Sequence, residues 1–427
     1  MNGITENFVL KGNIVYSDES RKLHCQENAY LVCINHQCEG VFPELPEQYE
    51  KLKQLDMGNR LIIPGITDLH LHAPQYPFRG LGMDLELLEW LNTNTFPEEE
   101  KYFDLSYAKA AYAQFSSDLN SSVTTRACIF ATVHKDATLL LMELLEQTGL
   151  ITCVGRVNMD RNCSVGLCEE SAQSSIEDTQ RWVREARERF HLTRPILTPR
   201  FIPTCSDELM RGLSLLQKKY HLPVQSHLSE NLSEIAWVKE LVPGAACYGA
   251  AYNDFGLFGD PVPTIMAHCV YSTEEEIRLM KEKGVYIAHC PESNLNIASG
   301  IAPVRKYLSE GLQIGLATDV AGGSSLSMLR SMAYAIQASK MYWRLIDQRD
   351  SPLKFEEVFY LATLGGGGFF GKVGSFLKGY EFDAVVIEDE KIKSPKSVTI
   401  KERAERMIYL PEDIKVYAKF VNGRKLY

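Results

Sequence analysis

The sequence predicts a mixed α/β fold, a (β/α)8 barrel of the TIM type with a small β-sandwich domain formed by both termini. Three observations predict it. Short apolar runs alternate with amphipathic stretches through the middle of the 427-residue chain, both ends are rich in strand-like segments, and histidines recur where apolar runs end. We expect residues 1–63 and 373–427 to form the small β domain and residues 64–372 to form the barrel.

Strand-like segments cluster at both ends of the chain. Residues 8–16 hold two apolar triplets around Lys-Gly-Asn, which predicts a β-hairpin, and residues 30–34 add a third short strand. Residues 383–387 and 417–421 are also strand-like, and the Asn-Gly pair that follows predicts a two-residue turn. Because short β segments need partners to be stable, the two ends are expected to share one sheet.

The middle of the chain alternates between two kinds of segment. The apolar runs cover residues 61–66, 123–131, 151–159, 195–201, 222–226, 263–267, 285–288 and 313–317. Between them lie helix candidates, for example at residues 102–119, 176–190, 207–220 and 274–282. Eight strand–helix repeats are the number that a closed barrel contains. An open doubly wound sheet is the alternative, because alternation alone fits both.

Composition limits the expected partners. The formal net charge of -10 repels nucleic acid and anionic membranes, so a neutral or cationic small molecule is the better candidate. The start, MNGITENFVLKGN, lacks the regions of a signal peptide, and no run of about 20 apolar residues occurs. The 11 cysteines are scattered without a C-x-x-C pair, which indicates reduced thiols. We therefore expect a cytoplasmic protein.

Histidines and one aspartate stand where apolar runs end. His70 and His72 are two residues apart, so on a strand their side chains face the same way. His227, His268 and Asp319 close the fifth, sixth and eighth runs. In a barrel the C-terminal strand ends meet at one mouth, so these five side chains are predicted to converge there. The alternative is that they are unrelated polar residues that cap strands.

The predicted ligand set is rich in nitrogen and holds one carboxylate. Such a set suits Zn²⁺, with Fe²⁺ as the competitor. A metal in this setting lowers the pKa of a water molecule toward about 7 and so supplies a nucleophile at neutral pH. Five ligands exceed the three of a minimal catalytic site, so we expect a long or shared contact to Asp319, which would also face the water.

Glu230 is the candidate for proton transfer. It follows His227 by three residues and stands just past a strand end, where a carboxyl group can lean over a metal without binding it. The alternative is a glutamate that only favours the start of the next helix. The chain has no H-E-x-x-H of common zinc peptidases and no C-x-x-C of the deaminases that act on flipped nucleotides.

The motif Pro-Gly-Ile-Thr-Asp-Leu-His-Leu-His at residues 64–72 and the later His227, His268 and Asp319 resemble the amidohydrolase superfamily over nearly the whole chain. The resemblance implies one zinc ion per subunit, held by the five side chains named above, and a homodimer. A bridged second metal would need a lysine at the end of the fourth run, and residues 198–201 contain none.

Within the superfamily, the guanine-deaminating branch is the closer resemblance. The segments at residues 72–76, 88–91 and 95–97 look like its first loop, and Pro-Arg-Phe at residues 199–201 looks like the end of its fourth strand. The resemblance implies that the residues in contact with substrate are Gln75, Trp90, Arg200 and Phe201.

The chemistry of these side chains agrees with a purine. Arg200 presents paired donors that match the O6/N7 edge of guanine, and the Gln75 amide can both donate and accept. Phe201 can pack on the flat purine face. From the residues alone, Arg200 also fits a structural ion pair, and Phe201 also fits the barrel core.

The resemblance therefore implies hydrolytic deamination of guanine to xanthine and ammonia. Asp319 would accept the proton of the attacking water, and Glu230 would deliver a proton to ring nitrogen N3. One alternative is another aminohydrolase or chlorohydrolase of the superfamily that acts on a triazine, a pyrimidine or another amidine. A second is a catalytically inactive scaffold, although such proteins typically lose metal ligands.

Overall fold

The computed structural model describes residues 7–427 as a mixed α/β protein. The first six residues, part of the start in which we expect no signal peptide, lie outside the described residues. Among the residues described, no helix combines the length and the apolar character that crossing a membrane requires.

Strands and helices follow one another along the chain. The strands are β1 (Phe8–Ser17), β2 (Leu23–Ile34), β3 (Gln37–Phe42), β4 (Lys53–Pro64), β5 (Ile66–His72), β6 (Thr124–Phe130), β7 (Ile151–Gly155), β8 (Val157–Asn158), β9 (Thr193–Pro195), β10 (Thr198–Pro199), β11 (Val224–Leu228), β12 (Thr264–His268), β13 (Tyr286–His289), β14 (Gln313–Leu316), β15 (Ala384–Glu388), β16 (Lys415–Val421) and β17 (Arg424–Lys425). The helices are α1 (Leu87–Trp90), α2 (Phe96–Glu100), α3 (Leu105–Ser121), α4 (Lys135–Thr148), α5 (Ala172–Arg189), α6 (Asp207–Tyr220), α7 (Leu232–Leu241), α8 (Tyr248–Asn253), α9 (Glu274–Lys283), α10 (Pro291–Asn296), α11 (Val304–Ser309), α12 (Met328–Leu345), α13 (Phe355–Tyr360) and α14 (Ile400–Tyr409).

Strands from both ends of the chain form one seven-stranded terminal sheet, in the order β17-β16-β15-β4-β1-β2-β3. β1 and β4 run parallel, whereas the other neighbours run antiparallel. The predicted sharing of one sheet by both termini is confirmed. Asn422 and Gly423 have φ values of 46° and 69° and join β16 to β17, so the predicted two-residue turn is also confirmed.

The hairpin predicted within residues 8–16 is wrong. β1 runs unbroken through that segment, with only a register shift between Gly12 and Ile14 in its pairing with β2. Because β2 and β4 flank β1 on both sides, the Lys-Gly-Asn segment finds hydrogen-bond partners without turning. Gly12 allows the close approach of β4, since a Cβ there would lie 2.9 Å from Ile62 Cδ1.

The middle of the chain supplies two four-stranded parallel sheets, β5-β6-β7-β9 and β11-β12-β13-β14. They meet at both edges. On one side Leu197 bridges in parallel to Val224 of β11. On the other, Asp319 N donates to His70 O and His72 N donates to Val320 O, each at 2.9 Å. The C-terminal ends of all these strands therefore face one side.

Capping residues determine where helices between the strands begin and end, as α3 and α9 illustrate. Asp104 begins α3 by accepting a hydrogen bond from Ser106 N, and Thr273 begins α9 by accepting one from Glu276 N. Gly284 ends α9 with a φ of 63°, a conformation that glycine adopts without strain. The buried faces of these helices join the strands in the main hydrophobic core.

The segment after β5 folds back over the strand ends. It consists of a 3₁₀ turn (Ala73–Phe78), α1, a π turn (Leu91–Thr95) and α2. Leu87 N donates to Ile297 O at 3.1 Å, which ties this segment to the chain that follows α10. The predicted loop residues Gln75 and Trp90 are thereby held close to the strand ends.

Candidate active site

The five side chains that the sequence predicts as metal ligands lie together at the strand ends, buried or half-buried. His72 Nε2 lies 3.2 Å from His70 Nε2 and 3.4 Å from His227 Nε2. Asp319 Oδ1 lies 3.1 Å from His70 Nε2 and 3.4 Å from His72 Nε2. The other oxygen, Oδ2, lies 3.8 Å from His268 Nε2. The structure thus brings all five donors around one small space.

Burial and neighbouring charges set the protonation of this cluster. Burial lowers the pKa of His70, and it lowers the pKa of His72 and His227 well below the ordinary value. Burial acts in the same direction on His268, but the charges of Glu230 and Asp319 outweigh it and raise the pKa of that ring. Burial opposes ionisation of Asp319, but the neighbouring histidines, His70 first among them, hold the pKa of this carboxyl well below its usual value. Neutral imidazoles and an ionised carboxylate are the forms that bind metal.

The spacing of the donors fits one small divalent cation. Ligands about 2.0–2.1 Å from a tetrahedral zinc ion lie roughly 3.3 Å apart, and the Nε2 separations of 3.2 and 3.4 Å match that value. Cys290 Sγ lies within 4.8 Å of donor atoms of His70, His268 and Asp319. However, burial raises the pKa of this thiol well above its usual value, and the thiol donates to Ala288 O at 3.4 Å.

Contacts behind the cluster orient two of the rings. His227 Nδ1 lies 2.6 Å from Arg200 O, and His268 Nδ1 lies 2.9 Å from Asn294 Oδ1. Since these oxygens accept hydrogen bonds, each Nδ1 carries the proton and each Nε2 keeps its lone pair for a metal.

The backbone around the cluster is constrained. His268 and Asp319 have φ values of 72° and 48°, in the left-handed region that non-glycine residues rarely adopt. Asp68 supports the chain that leads to Asp319, because its carboxylate accepts hydrogen bonds from Thr318 Oγ1 at 2.5 Å and Thr318 N at 3.1 Å. The strain is thus maintained by specific contacts beside the cluster.

Glu230 lies where the sequence predicts a proton-transfer group. Its Oε1 accepts a hydrogen bond from Ser299 Oγ at 2.8 Å, and its Oε2 lies 3.4 Å from His268 Nε2. Burial raises the pKa of Glu230. The alternative was that Glu230 only favours the start of the next helix. That role belongs to Asn231 and Glu234, which form the capping box of α7.

Glu234 is a site residue that the sequence analysis missed. It lines the cavity beside Glu230, and burial raises its pKa to about 7. Its Oε2 accepts from the backbone N of Glu230 at 3.0 Å, and its Oε1 accepts from Tyr248 OH at 2.8 Å. The Asn-x-x-Glu spacing is visible in the sequence as a helix start, but nothing in that spacing says that the carboxylate borders a cavity.

A cavity, open at its mouth, adjoins the cluster. The four residues predicted to contact substrate all line it: Gln75, Trp90, Arg200 and Phe201. Leu87, Leu91 and Ile297 add apolar walls that were not predicted. Apolar walls with a few polar groups at fixed places are typical of small-molecule sites.

For both Arg200 and Phe201, the sequence left a structural role open beside contact with substrate. Arg200 does form a buried ion pair, with Glu99, and it also borders the cavity, so the two interpretations coexist. Phe201 is buried, with its ring 6.1 Å from that of Trp237, and it also borders the cavity. Their contacts with substrate remain predictions.

Comparison with known proteins identifies the family of this chain. The sequence profile of the Amidohydrolase family covers residues 61–426. The chain belongs to the amidohydrolase family. The superfamily resemblance inferred from the motifs is thereby confirmed, and the matched region spans both parallel sheets and the C-terminal strands.

Relatives of this amidohydrolase extend over its full length. It is 37% identical to a guanine deaminase of Dictyostelium discoideum, covering 98% of each chain. It is 34% identical to a guanine deaminase of Escherichia coli, covering 88% of this chain and 85% of the relative. It is similar in structure to guanine deaminase from C. acetobutylicum, solved with guanine in its active site, with a TM-score of 0.95, 45% identity and coverage of 99% and 100%.

Proposed function

We propose that this amidohydrolase hydrolyses guanine to xanthine and ammonia. The observation that carries the proposal is the cavity itself, which Glu230 and four of the five cluster residues line together with Gln75 and Arg200. Full-length similarity to guanine deaminases supports the same substrate.

The substrate would bind by its polar edge and its flat face. Arg200 donates to the O6/N7 edge of guanine, and Gln75 both donates to and accepts from the ring. Phe201 and Trp90 pack against the purine, and the apolar walls exclude water from it. This orientation directs the C2 amine toward the cluster.

The metal would be one Zn²⁺ per subunit, with Fe²⁺ as the competitor, held by the five predicted ligands: His70, His72, His227, His268 and Asp319. When bound, such a cation lowers the pKa of a water molecule so that hydroxide is available at neutral pH. The lowered pKa values of His70, His72 and His227 and the donor spacing described above support this assignment.

Two carboxyl groups would move the protons. Asp319 accepts the proton that the attacking water loses. Glu230, whose pKa burial raises, protonates N3 of the ring as the water oxygen bonds to C2. The proton held by Asp319 then passes to the amine, Glu230 takes the second proton of the attacking oxygen as the C2 carbonyl forms, and the C2–N bond breaks to release ammonia. Ser299 holds Glu230 for this task through its 2.8 Å hydrogen bond.

We also propose that the eight strands of the two four-stranded parallel sheets, β5, β6, β7, β9 and β11–β14, close into a (β/α)8 barrel spanning residues 64–372. The contacts at both edges of the parallel sheets support closure. We propose that residues 1–63 and 373–427 form a small β sandwich. The ring of Phe8 on β1 lies 5.3 Å from that of Phe420 on β16, although two strands separate these in the sheet, so the terminal sheet must curl.

We propose that the protein is a homodimer, as the family resemblance implies, and that it is cytoplasmic, as its scattered cysteines indicate. The formal charge of -10 agrees with the expectation that neither nucleic acid nor an anionic membrane is a partner. Sedimentation at several protein concentrations measures the subunit number.

A substrate panel tests the proposed activity. The purified protein is incubated with guanine, adenine, cytosine and a hydroxylated triazine, and ammonia release is followed with and without a chelator. Release from guanine alone, lost with the chelator and restored by added zinc, is expected. Faster release from the triazine than from guanine would assign the protein to another hydrolase of the same fold.

A further inference from the structure

Glu99 joins the two polar residues of the substrate wall. It lies in α2 and is 1% exposed. Its Oε2 accepts from Arg200 Nη1 at 2.5 Å, and its Oε1 accepts from Arg200 Nη2 at 3.1 Å. The same Oε1 accepts from Gln75 Nε2 at 3.0 Å. One carboxylate thus contacts both side chains that would form hydrogen bonds with the purine.

We propose that Glu99 is a positioning residue that fixes Arg200 and Gln75 and offsets the charge of Arg200, so that the cavity selects a neutral purine over an anionic one. The inference rests on the proposed function, because it concerns the same site and substrate.

The Glu99 contact decides the orientation of the Gln75 amide. A carboxylate only accepts hydrogen bonds, so the Nε2 side must face Glu99. The carbonyl Oε1 then lies 3.4 Å from Ala321 N, which donates to it. One amide hydrogen and one oxygen lone pair remain for a ligand. Without Glu99, the amide could rotate and exchange donor for acceptor.

Glu99 also changes the hydrogen-bond donors and the charge that Arg200 presents to a ligand. The guanidinium has five N–H donors, and the bidentate pair uses two of them, so three remain for other acceptors. The ring of Phe96 lies 5.2 Å from the guanidinium carbon and limits its movement. A buried cation without a partner would attract any anion strongly. Because Glu99 neutralises Arg200, the remaining N–H donors of Arg200 are available in a site that has no net positive charge from this pair.

Glu98 provides a matched control. It precedes Glu99 in the same helix and is also buried, but its carboxylate pairs with Lys101 at 2.6 Å and contacts Tyr107 OH. No described contact links it to Arg200 or Gln75. Substitution of Glu98 therefore removes a buried carboxylate from α2 without touching the substrate wall.

The test measures binding by calorimetry with two purines that carry an oxygen at C6. In mildly alkaline buffer xanthine is mostly an anion, whereas hypoxanthine is mostly neutral. Glu99→Gln is expected to weaken hypoxanthine binding at least about tenfold and to shift the preference toward xanthine at least about tenfold. Glu99→Asp keeps the charge but shortens the side chain, so it should weaken hypoxanthine binding without that shift. Glu98→Gln should bind both as the wild type does.

Unchanged binding in Glu99→Gln, equal weakening of both ligands, or the same shift in Glu98→Gln would overturn the proposal. If Glu99→Gln does not fold, as judged by its melting temperature, Glu99→Asp decides, and wild-type affinity for hypoxanthine in that variant overturns the proposal. Ammonia release from guanine by the wild type is measured separately, so failure of the proposed activity is distinguishable from failure of this inference.

Discussion

Arg126 on β6 and Asp383, which precedes β15, form a buried ion pair between residues 257 positions apart in sequence. Arg126 Nε donates to Asp383 Oδ2 at 2.7 Å, and Arg126 Nη2 donates to Glu381 at the same distance. Asp383 Oδ1 also accepts from Asn422 N at 2.7 Å. The pair therefore joins the parallel sheet to the start of β15 and to the turn between β16 and β17.

Arg126→Met should destabilise the protein by about 3–5 kcal/mol, because it leaves the Asp383 carboxylate buried without its cation. Urea unfolding followed by circular dichroism measures the change. The double variant with Asp383→Asn should recover part of the loss, and Arg184→Met, at an exposed position, serves as the control. A loss under about 1 kcal/mol in the single variant would mean that the pair does not join the two sheets energetically.

Glu230→Gln should lower kcat for guanine at least about a hundredfold, since the amide cannot deliver a proton to the ring. The bound metal should remain, because Glu230 is not among the predicted ligands. Steady-state kinetics and elemental analysis measure the two effects. Glu240→Gln, at an exposed position of α7, should retain full activity. Turnover near the wild-type rate in Glu230→Gln would remove this residue from the mechanism.

Metal affinity should depend on the contact between His268 and Asn294. Asn294→Ala removes the oxygen that orients the ring and should weaken zinc binding about 10- to 100-fold. His227→Ala removes a predicted ligand and should lower metal content further. Competition with a chromogenic chelator gives the affinities, and exposed His191→Ala is the control. Equal zinc affinity in all three variants would contradict the predicted ligand set.

The positions of the cluster residues were predictable because each ends an apolar run. Parallel strands place their C-terminal ends on one side, so His227 and His268 reach the same place as His70 without any local contact between them. The turn at Asn422 and Gly423 was predictable because few other pairs adopt two positive φ values cheaply.

The course of β1 and the partner of Arg200 could not be predicted, because both depend on contacts between residues far apart in the sequence. The triplets around Gly12 suggest a turn, but pairing with β2 and β4 on both sides keeps the strand extended. Glu98, Glu99 and Glu100 are chemically identical in the sequence. Only the packing of α2 against the strand ends selects the middle one as the partner of Arg200.

Lys419 supplies a test of pH dependence remote from the cluster. It lies buried on β16, and its Nζ donates to Asn120 O at 2.6 Å and Thr124 O at 3.0 Å. Burial lowers the pKa of Lys419 to about 7. The facing aromatic group is Tyr427, whose own pKa burial raises to about 12, so it does not titrate in the same range.

The sign of the effect follows from proton counts. Below about pH 7 both the folded and the unfolded chain hold the Lys419 proton, so this residue gives no pH dependence there. Between about pH 7 and pH 10 the unfolded chain holds it and the folded chain has lost it, so the free energy of unfolding rises with pH, by at most about 1.4 kcal/mol per unit. Lys419→Met should lack this rise.

Urea unfolding of the wild type and of Lys419→Met at several pH values between about 7 and 9 isolates the Lys419 contribution as the difference between the two curves. That difference should move in favour of the wild type as pH increases, while the exposed Lys425→Met tracks the wild type throughout. A constant difference would mean that Lys419 stays charged in the folded protein, with the carbonyls of Asn120 in the last turn of α3 and of Thr124 at the start of β6 outweighing the cost of burial.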